Sequence, residues 1–204
     1  MVGRPGRNDA LTIEIPAFIH PTAEVSPQAQ VGAGCKIWRN AHVREDAVLG
    51  NGCIIGAGVY VGAGVHLGRN CKIQNNALLY EGVTLEDGVF VGPLVCFTND
   101  FLPRAVNPDL SLKSADDWRV GSTRVCEGAS VGAQSVVVTG VTIGKWALVG
   151  AGSVVTRDVP DHALVYGQPA RLQAWVCHCA RRLELRGAEG WCAACQRLVP
   201  LPKS

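Results

Sequence analysis

Aromatic residues are scarce, 6% of 204 positions, and no apolar run approaches the roughly 18 residues needed to span a bilayer. The first shortage argues against a sandwich or barrel filled with rings, the second against a transmembrane helix. An excess of one charge is also lacking: 19 Lys and Arg face 17 Asp and Glu, leaving a formal +2. That balance gives no case for nucleic acid or a membrane surface as a partner. The first eighteen residues, MVGRPGRNDALTIEIPAF, carry basic residues with no continuous apolar segment behind them, so no signal peptide is read there. A cytoplasmic protein is expected. Its nine cysteines are then core residues, metal ligands or reactive thiols before they are disulfides.

Glycine, by contrast, is plentiful at 24 residues, and 48% of the chain is hydrophobic. A backbone that turns often and tightly around an aliphatic core follows from that pairing. The length suits one sizeable domain plus a small appendage.

Self-similarity is the dominant signal. Every sixth residue from Ile19 to Phe97, and again from Val125 to Val155, is Val, Ile, Leu or Phe. The residue four places further on is usually small, as at Ala41, Cys53, Ala77 and Ser153, and Gly often follows the large residue directly, as at Gly56 and Gly132. Three short strands account for this period if they close an eighteen-residue triangular coil. The large residue then fills the prism and the small one sits near the corner. Coils stack at about 4.8 Å, the usual strand spacing, and the hexads amount to between six and seven of them. The fold class is all-β, a parallel β-helix. Cys35, Cys53 and Cys71 lie eighteen apart and should stack inward as small core residues that stay as thiols.

The repeat breaks in two places. Between Phe97 and Val125 the phase is lost over a polar segment, residues 103–124, with Pro103 and Pro108. A loop of this length inside a compact domain is usually functional, and a flap reaching a neighbouring subunit is the reading adopted, against a tolerated surface insertion. After Val155 the pattern fades to a Gly167-Gln168-Pro169-Ala170-Arg171 turn, and a short helical segment is expected beyond it. His66 occupies an outward hexad position and should be solvated.

The tail reads Cys177-His178-Cys179, then twelve residues, then Cys192-Ala-Ala-Cys195. Two close cysteine pairs around a short basic hairpin match a small zinc ribbon with Cys177, Cys179, Cys192 and Cys195 as thiolate ligands. His178 is an alternative ligand, though adjacent ligands are geometrically awkward. A unit this small needs the metal to fold. Four thiolates leave no open position, so the zinc is structural, not catalytic.

Four segments put polar residues where a bare prism does not need them: Ile37-Trp38-Arg39-Asn40-Ala41-His42-Val43, the run from Lys72-Ile73-Gln74-Asn75-Asn76 through Tyr80-Glu81-Gly82 to Asp87, Phe97-Thr98-Asn99-Asp100 with Arg104, and the Gly167–Arg171 ending. Together they resemble the hexapeptide-repeat acyltransferases, and most of all the nucleotide-amino-sugar N-acetyltransferases of bacterial surface-polysaccharide synthesis. Within these, the likeness is to enzymes acetylating UDP-2-acetamido-3-amino-2,3-dideoxyglucuronate, over approximately residues 15–176. The resemblance implies a left-handed coil, a homotrimer with sites between subunits, and acetyl-CoA as cosubstrate. It implies catalytic roles for Asn75 and Asn76, one of which serves the acceptor, with His42 as the alternative general base. The acceptor sugar is expected at Arg39, Tyr80, Glu81, Thr98, Asn99 and Arg104, and coenzyme A at Ala133, Ala151, Arg157 and Arg171, with Lys145 as a looser candidate. Arg39 stands where the family has a histidine, which bears on the choice of sugar. Structural readings exist beside these: an asparagine corner cap for Asn75 and Asn76, and a surface residue for Arg171.

The function expected is therefore amine attack on the acetyl thioester, the amine belonging to a nucleotide-linked sugar. The alternatives are an acyltransferase with another small O- or N-acceptor and a non-catalytic β-helix assembly module. A metal-dependent anhydrase is disfavoured because the five histidines include no pair at ligand spacing. The divisions expected are an N-terminal extension, 1–18, the β-helix domain, 19–170, and the cysteine-bearing segment, 171–204.

Overall fold

The computed structural model describes residues 15–202, so most of the expected N-terminal extension, residues 1–18, lies outside the described residues. Each hexad supplies one side of a triangular prism as a two-residue strand such as Lys72–Ile73 or Leu78–Leu79, and its other four residues turn the corner. Pairing is parallel at eighteen-residue spacing: Lys72 lies beside Ile54 on one side and Phe90 on the other. Three sheets result, of nine, seven and six strands. The first holds Phe18–Ile19, Lys36–Ile37, Ile54–Ile55 and their successors, the second starts at Glu24–Val25, and the third at Gln30–Val31.

The fold is thus a parallel β-solenoid of about eight turns, against six to seven from the hexad count, since its first sheet stacks eight parallel strands of which the last is Ala163–Gly167. This strand pairs in parallel with Leu148–Val149 and begins a further turn. No helix follows it. Ala170–Trp175 runs back antiparallel to Ala163–Gly167 instead, because residues after the Gly167 turn can complete the open edge of the first sheet. The ejected segment also differs in extent from the expectation: Thr123–Val125 is already strand, with Thr123 buried beside Val83. It holds one 3-10 turn, Ala115–Asp117, capped by Ser114. Among the described residues no helix is long and apolar enough to cross a membrane.

The hexad's large residues form one continuous core. Ile37, Ile55, Ile73, Val91, Val131 and Val149 are fully buried in a single row, each stabilising the prism by about 1.5–3 kcal/mol. Cys35, Cys53 and Cys71 are buried in the row behind, as expected. Their Sγ atoms donate to the carbonyls of Gly50, Gly68 and Glu86 at 3.2, 3.0 and 3.1 Å. A thiol suits this place because it fills the space of a small hydrophobe and satisfies a carbonyl. His66 is exposed on its strand.

The corners need a left-handed residue at their third position, most often Gly or Asn because an ordinary Cβ crowds its own carbonyl there, although Asp46, Leu94, Gln134 and Trp146 also take it. Gly58 and Asn76 occupy it in consecutive turns at φ 66° and 57°. Corner amides that no strand satisfies are capped from the next turn: Ala33 N–H donates to Asn51 Oδ1 at 3.1 Å, Arg69 N–H to Asp87 Oδ1 at 2.7 Å and Lys145 N–H to Asp161 Oδ1 at 2.7 Å.

Asp87 also takes the Arg69 guanidinium, with Nε at 2.9 Å, and this pairing holds its carboxyl below the usual carboxylate range. A depressed carboxylate stabilises the fold above its unfolded pKa, near 4, and that contribution disappears as pH falls through the folded value. Asp87→Asn keeps an acceptor for the Arg69 amide but cannot titrate. Melting temperature measured from pH ~6 down to pH ~2 should fall less in this variant than in the parent. An identical decline in both would remove Asp87 from the acid response.

Candidate functional site

Three ridges run along the prism, one between each pair of sheets, and they sort the expected site residues. Arg39, Asn75, Asn76, Ala133 and Ala151 all fall on the ridge between the first and second sheets. Tyr80, Glu81, Thr98, Asn99 and Arg157 fall on the ridge between the second and third. His42 lies on the face between them, in the strand His42–Val43. Within one chain the structure therefore gathers two half-sites and separates them by a side of the prism. Lys145 sits on the remaining ridge, 3.8 Å from the Glu127 carboxylate, and is not gathered with either.

On the first ridge, Ala57 N–H donates to Asn75 Oδ1 at 3.0 Å, which is the corner-cap geometry seen at Asn51. The cap occupies the carbonyl only. The Asn75 amide nitrogen is on an exposed residue and makes no hydrogen bond among the described residues. Asn76 lies over Gly58, where a Cβ would run into its Oδ1. Further along, the ridge changes character. Pro93 has no N–H to give, and the amides of Ala133 and Ala151 have no cap among the described residues. Both amides are close above a glycine: a Cβ at Gly92 would come within 2.6 Å of Ala133 N, and one at Gly132 within 2.5 Å of Ala151 N. Glycine is required there by the neighbouring backbone, and two outward donors in line are left over. An extended chain bearing amide carbonyls fits such a row.

On the second sheet's outer face, His42, Tyr60 and Tyr80 form an aromatic file, with ring centroids 5.6 and 5.5 Å apart. Arg44 donates to Tyr60 Oη at 3.3 Å and grips Glu45 through two bonds of 2.7 and 2.6 Å. That grip holds the Glu45 carboxyl below its ordinary range. His42 lines a hollow of about 430 Å³ with Glu24, Ser26, Arg44 and Glu45, whereas Asn75 lines another of about 240 Å³ with Trp38, Arg39, Lys72 and Gln74. Tyr60 is a residue the hexad reading passed over. Its signal was present, since it stands eighteen residues after His42 in the same outward position.

Thr98, Asn99 and Arg104 lie where the ejected segment leaves the prism. Thr98 Oγ1 accepts from Thr139 N–H at 3.0 Å, and Asn99 O from Gly121 N–H at 2.8 Å, so both anchor the segment's two ends. Arg104 is exposed and caps the Pro103 carbonyl at 3.1 Å. It borders a hollow of about 730 Å³ that the segment's own Phe101, Leu102, Val106 and Leu110 make apolar. Arg157 and Arg171 line a smaller hollow of about 160 Å³ at the far end of the prism, with Val155 and Ala170.

Among the described residues Cys177, Cys179, Cys192 and Cys195 converge, their sulfurs all within 4.8 Å of one another. Cys179 and Cys192 are 3.7 Å apart. The edge of a tetrahedron with metal–sulfur bonds of about 2.3 Å is about 3.8 Å, so this donor set fits zinc. The Cys192 thiol is pushed down to about 7, chiefly by the Cys195 N–H, whereas Cys177 and Cys195 are pushed up, so the four thiols share their ionisation unevenly. His178 is turned elsewhere. It packs between Trp146 and His162, with ring centroids 4.6 and 4.9 Å away, and so seats the ribbon on the prism.

Two family profiles match the chain: bacterial transferase hexapeptide, six repeats, over residues 28–63 and 122–157, and hexapeptide repeat of succinyl-transferase over residues 47–81. Residues 28–81 and 122–157 of the chain thus carry the repeat of the hexapeptide transferases. The chain is 52% identical over 77 residues, 38% of its length, to the dTDP-3-amino-3,6-dideoxy-alpha-D-galactopyranose 3-N-acetyltransferase of Aneurinibacillus thermoaerophilus, and these residues span 40% of that relative. Among solved structures, a hexapeptide-repeat-containing acetyltransferase from Vibrio cholerae complexed with acetyl coenzyme A matches with a TM-score of 0.54 at 26% identity, covering 64% of this chain and 70% of that one. A galactoside acetyltransferase in complex with coenzyme A matches equally, at 0.54 and 26%, with 64% of each chain covered. The chain thus spans about two fifths of the length of the curated relatives it matches. Beyond the repeat the chain carries two additions to the prism, the ejected segment and the cysteine ribbon.

Proposed function

We propose that this chain transfers the acetyl group of acetyl-CoA to the amino group of a nucleotide-linked amino sugar, in the cytoplasm, as a step in surface-polysaccharide synthesis. One observation carries the reading. A single ridge presents the amide of Asn75 beside Asn76, and then, turn by turn, the uncapped N–H groups of Ala133 and Ala151. The latter two suit the amide-bearing arm of coenzyme A, which would place the thioester toward the asparagines. Arg157 and Arg171 stand at the prism's end, where guanidinium groups suit the phosphates. The name of the 52% identical relative and the coenzyme A complexes of the solved structures agree with this use of the ridge.

The neutral sugar amine attacks the thioester carbonyl carbon. Its lone pair forms the C–N bond while the carbonyl oxygen gains negative charge, and the Asn75 or Asn76 amide donates to that oxygen. Collapse breaks the C–S bond, and the departing thiolate takes the amine's proton, leaving an acetamido sugar and free coenzyme A. No protein base is needed. His42, in its separate hollow, is the alternative acceptor of the proton, since imidazole titrates in the right range.

A homotrimer fits the outer faces. The first sheet turns Ile54, Phe90 and Leu148 outward beside Lys36 and Lys72, and the second Tyr60, Leu78 and Val136 beside Glu24 and His42, whereas the third turns out Gln30, His66, Thr84 and Arg124 with Val48 as its apolar exception. Two faces with apolar stretches and one mostly polar face suit subunits around a threefold axis. Packing the first face of one subunit on the second face of the next would bring the two half-sites together. It would also cover the apolar side of the ejected segment, where Leu102, Leu110 and Leu112 are 78–80% exposed. Zinc in the cysteine ribbon is structural in this reading.

The test is release of free thiol from acetyl-CoA against a panel of dTDP- and UDP-amino sugars. Thiol release that requires the amino group, with none from the matching hydroxyl sugar, is expected. Equal rates for the hydroxyl sugar would replace the amine by an O-acceptor, and no coenzyme A binding in calorimetry would leave only an assembly module.

A further inference from the structure

The five cations of the strands and corners before Phe97 divide into two groups. Arg44 pairs with Glu45 and Arg69 with Asp87. Lys36, Arg39 and Lys72 form no ion pair among the described residues, and all three belong to the first sheet's outer face or the ridge beside it. Lys36 and Lys72 flank Ile54 in register, one strand away on either side, so their backbones are about 10 Å apart. Arg39 and Lys72 both line the 240 Å³ hollow that Asn75 closes, and no carboxylate lines it. Over the same hollow stands Trp38, 43% exposed and 5.6 Å from the ring of Phe18, itself 47% exposed. Two bared rings and three unpaired cations around one hollow form a set that an aromatic anion would satisfy.

We infer that this hollow seats the nucleoside diphosphate end of the acceptor, with the phosphates between Arg39 and Lys72 and the base against Trp38. The inference rests on the amino-sugar reading above and adds where the acceptor's invariant end is held. A diphosphate supplies the two adjacent anionic groups that the cations call for, and a flat base supplies the ring face that the tryptophan calls for. The order along the ridge agrees. Arg39 and Asn75 are two turns apart, about 10 Å, so a sugar linked to phosphates at Arg39 and Lys72 extends toward the asparagines, where the acetyl group would arrive from the side of Ala133. Gln74, also lining the hollow, offers an amide to the sugar or its phosphates.

Calorimetric binding of dTDP and of UDP to the full chain tests the site without turnover. Lys72→Gln and Arg39→Gln should each weaken dTDP by about tenfold or more, Lys72→Arg should recover most of the loss, and coenzyme A affinity should be unchanged in all three. That last measurement, with an unaltered thermal transition, removes misfolding as a cause. Affinity for dTDP should also fall with added salt. Equal dTDP affinity in parent and variants would overturn the placement. A parent that binds no nucleoside diphosphate yet acetylates an amino sugar would overturn the subsite and leave acetyl transfer standing. Loss of acetyl transfer from the parent, with dTDP binding still dependent on Lys72, would sink the acetyltransferase reading and uphold the site.

Discussion

Cys192→Ser should strip the C-terminal ribbon of the zinc proposed for it and unfold residues 177–200, while the prism up to Val155 should keep its protection. The reason lies in the size of the ribbon's core. Among the described residues its hydrophobic core holds only Cys177, Leu183, Cys192 and Val199, with Trp175 and Leu201 packed at its margin. Two of those four are proposed ligands, so the apolar remainder is far too small to offset the entropy of ordering two dozen residues. Zinc bound by four thiolates contributes an apparent ~10–16 kcal/mol to units of this kind, and one lost ligand removes most of it. Serine is a close match in size, so packing alone does not account for the collapse. The measurements are zinc content, expected at one ion per chain in the parent and far below that in the variant, and amide exchange by peptide. Undiminished protection of 177–200 in a zinc-free variant would refute the metal site.

Asn75→Asp should lower kcat for acetyl transfer by about 10²–10³, the loss that follows removal of one oxyanion donor, with little change in melting temperature. The substitution is chosen from the corner geometry. Aspartate retains an oxygen to accept from Ala57 N–H, the bond that Asn75 makes at 3.0 Å, and replaces the outward amide donor with an anionic oxygen that cannot stabilise an oxyanion. Asn75→Ala would mix the two roles, adding about 1 kcal/mol of lost capping to any catalytic defect. For Asn76 the matching variant is Asn76→Gly, because φ is 57° there and alanine would add backbone strain of about 1 kcal/mol. Full activity in both variants would transfer the chemistry to His42, and the proton, not the oxyanion, would become the group the enzyme must manage.

The prism was legible in the sequence because its rule is local and repeated. An inward aliphatic at every sixth position leaves one closed shape, and a miss at any single hexad is outvoted by its neighbours. The thiol row at Cys35, Cys53 and Cys71 followed from the same rule. The ending was misread for the opposite reason. After Gly167 no repeat constrains the chain, and Ala170–Trp175 became a strand only because Ala163–Gly167 offers an unpaired edge, a tertiary fact absent from local pattern. The candidate site divides along the same line. That Arg39 and Asn75 share a ridge, and Ala133 and Ala151 another stretch of it, can be counted off in eighteens, with the ejected segment discounted to join the two. That the Asn75 carbonyl is already engaged, or that Trp38, Arg39 and Lys72 surround one hollow, depends on where side chains turn. Tyr60 shows the middle case, countable from His42 but with nothing in its own hexad to single it out.

The stacking of turns has a further consequence for how such a ridge can change. Equivalent positions on it are separated by one strand spacing, about 4.8 Å, and a residue moved by six or twelve places lands on another ridge. The distance between the anion hollow and the Ala133 and Ala151 amides is therefore graduated. It can lengthen or shorten only by whole turns inserted or deleted, and never by a fraction. Substrates longer by one sugar unit would call for a chain longer by a turn or two, while finer adjustment is left to side chains, such as Arg39, that reach inward from either end of the scale.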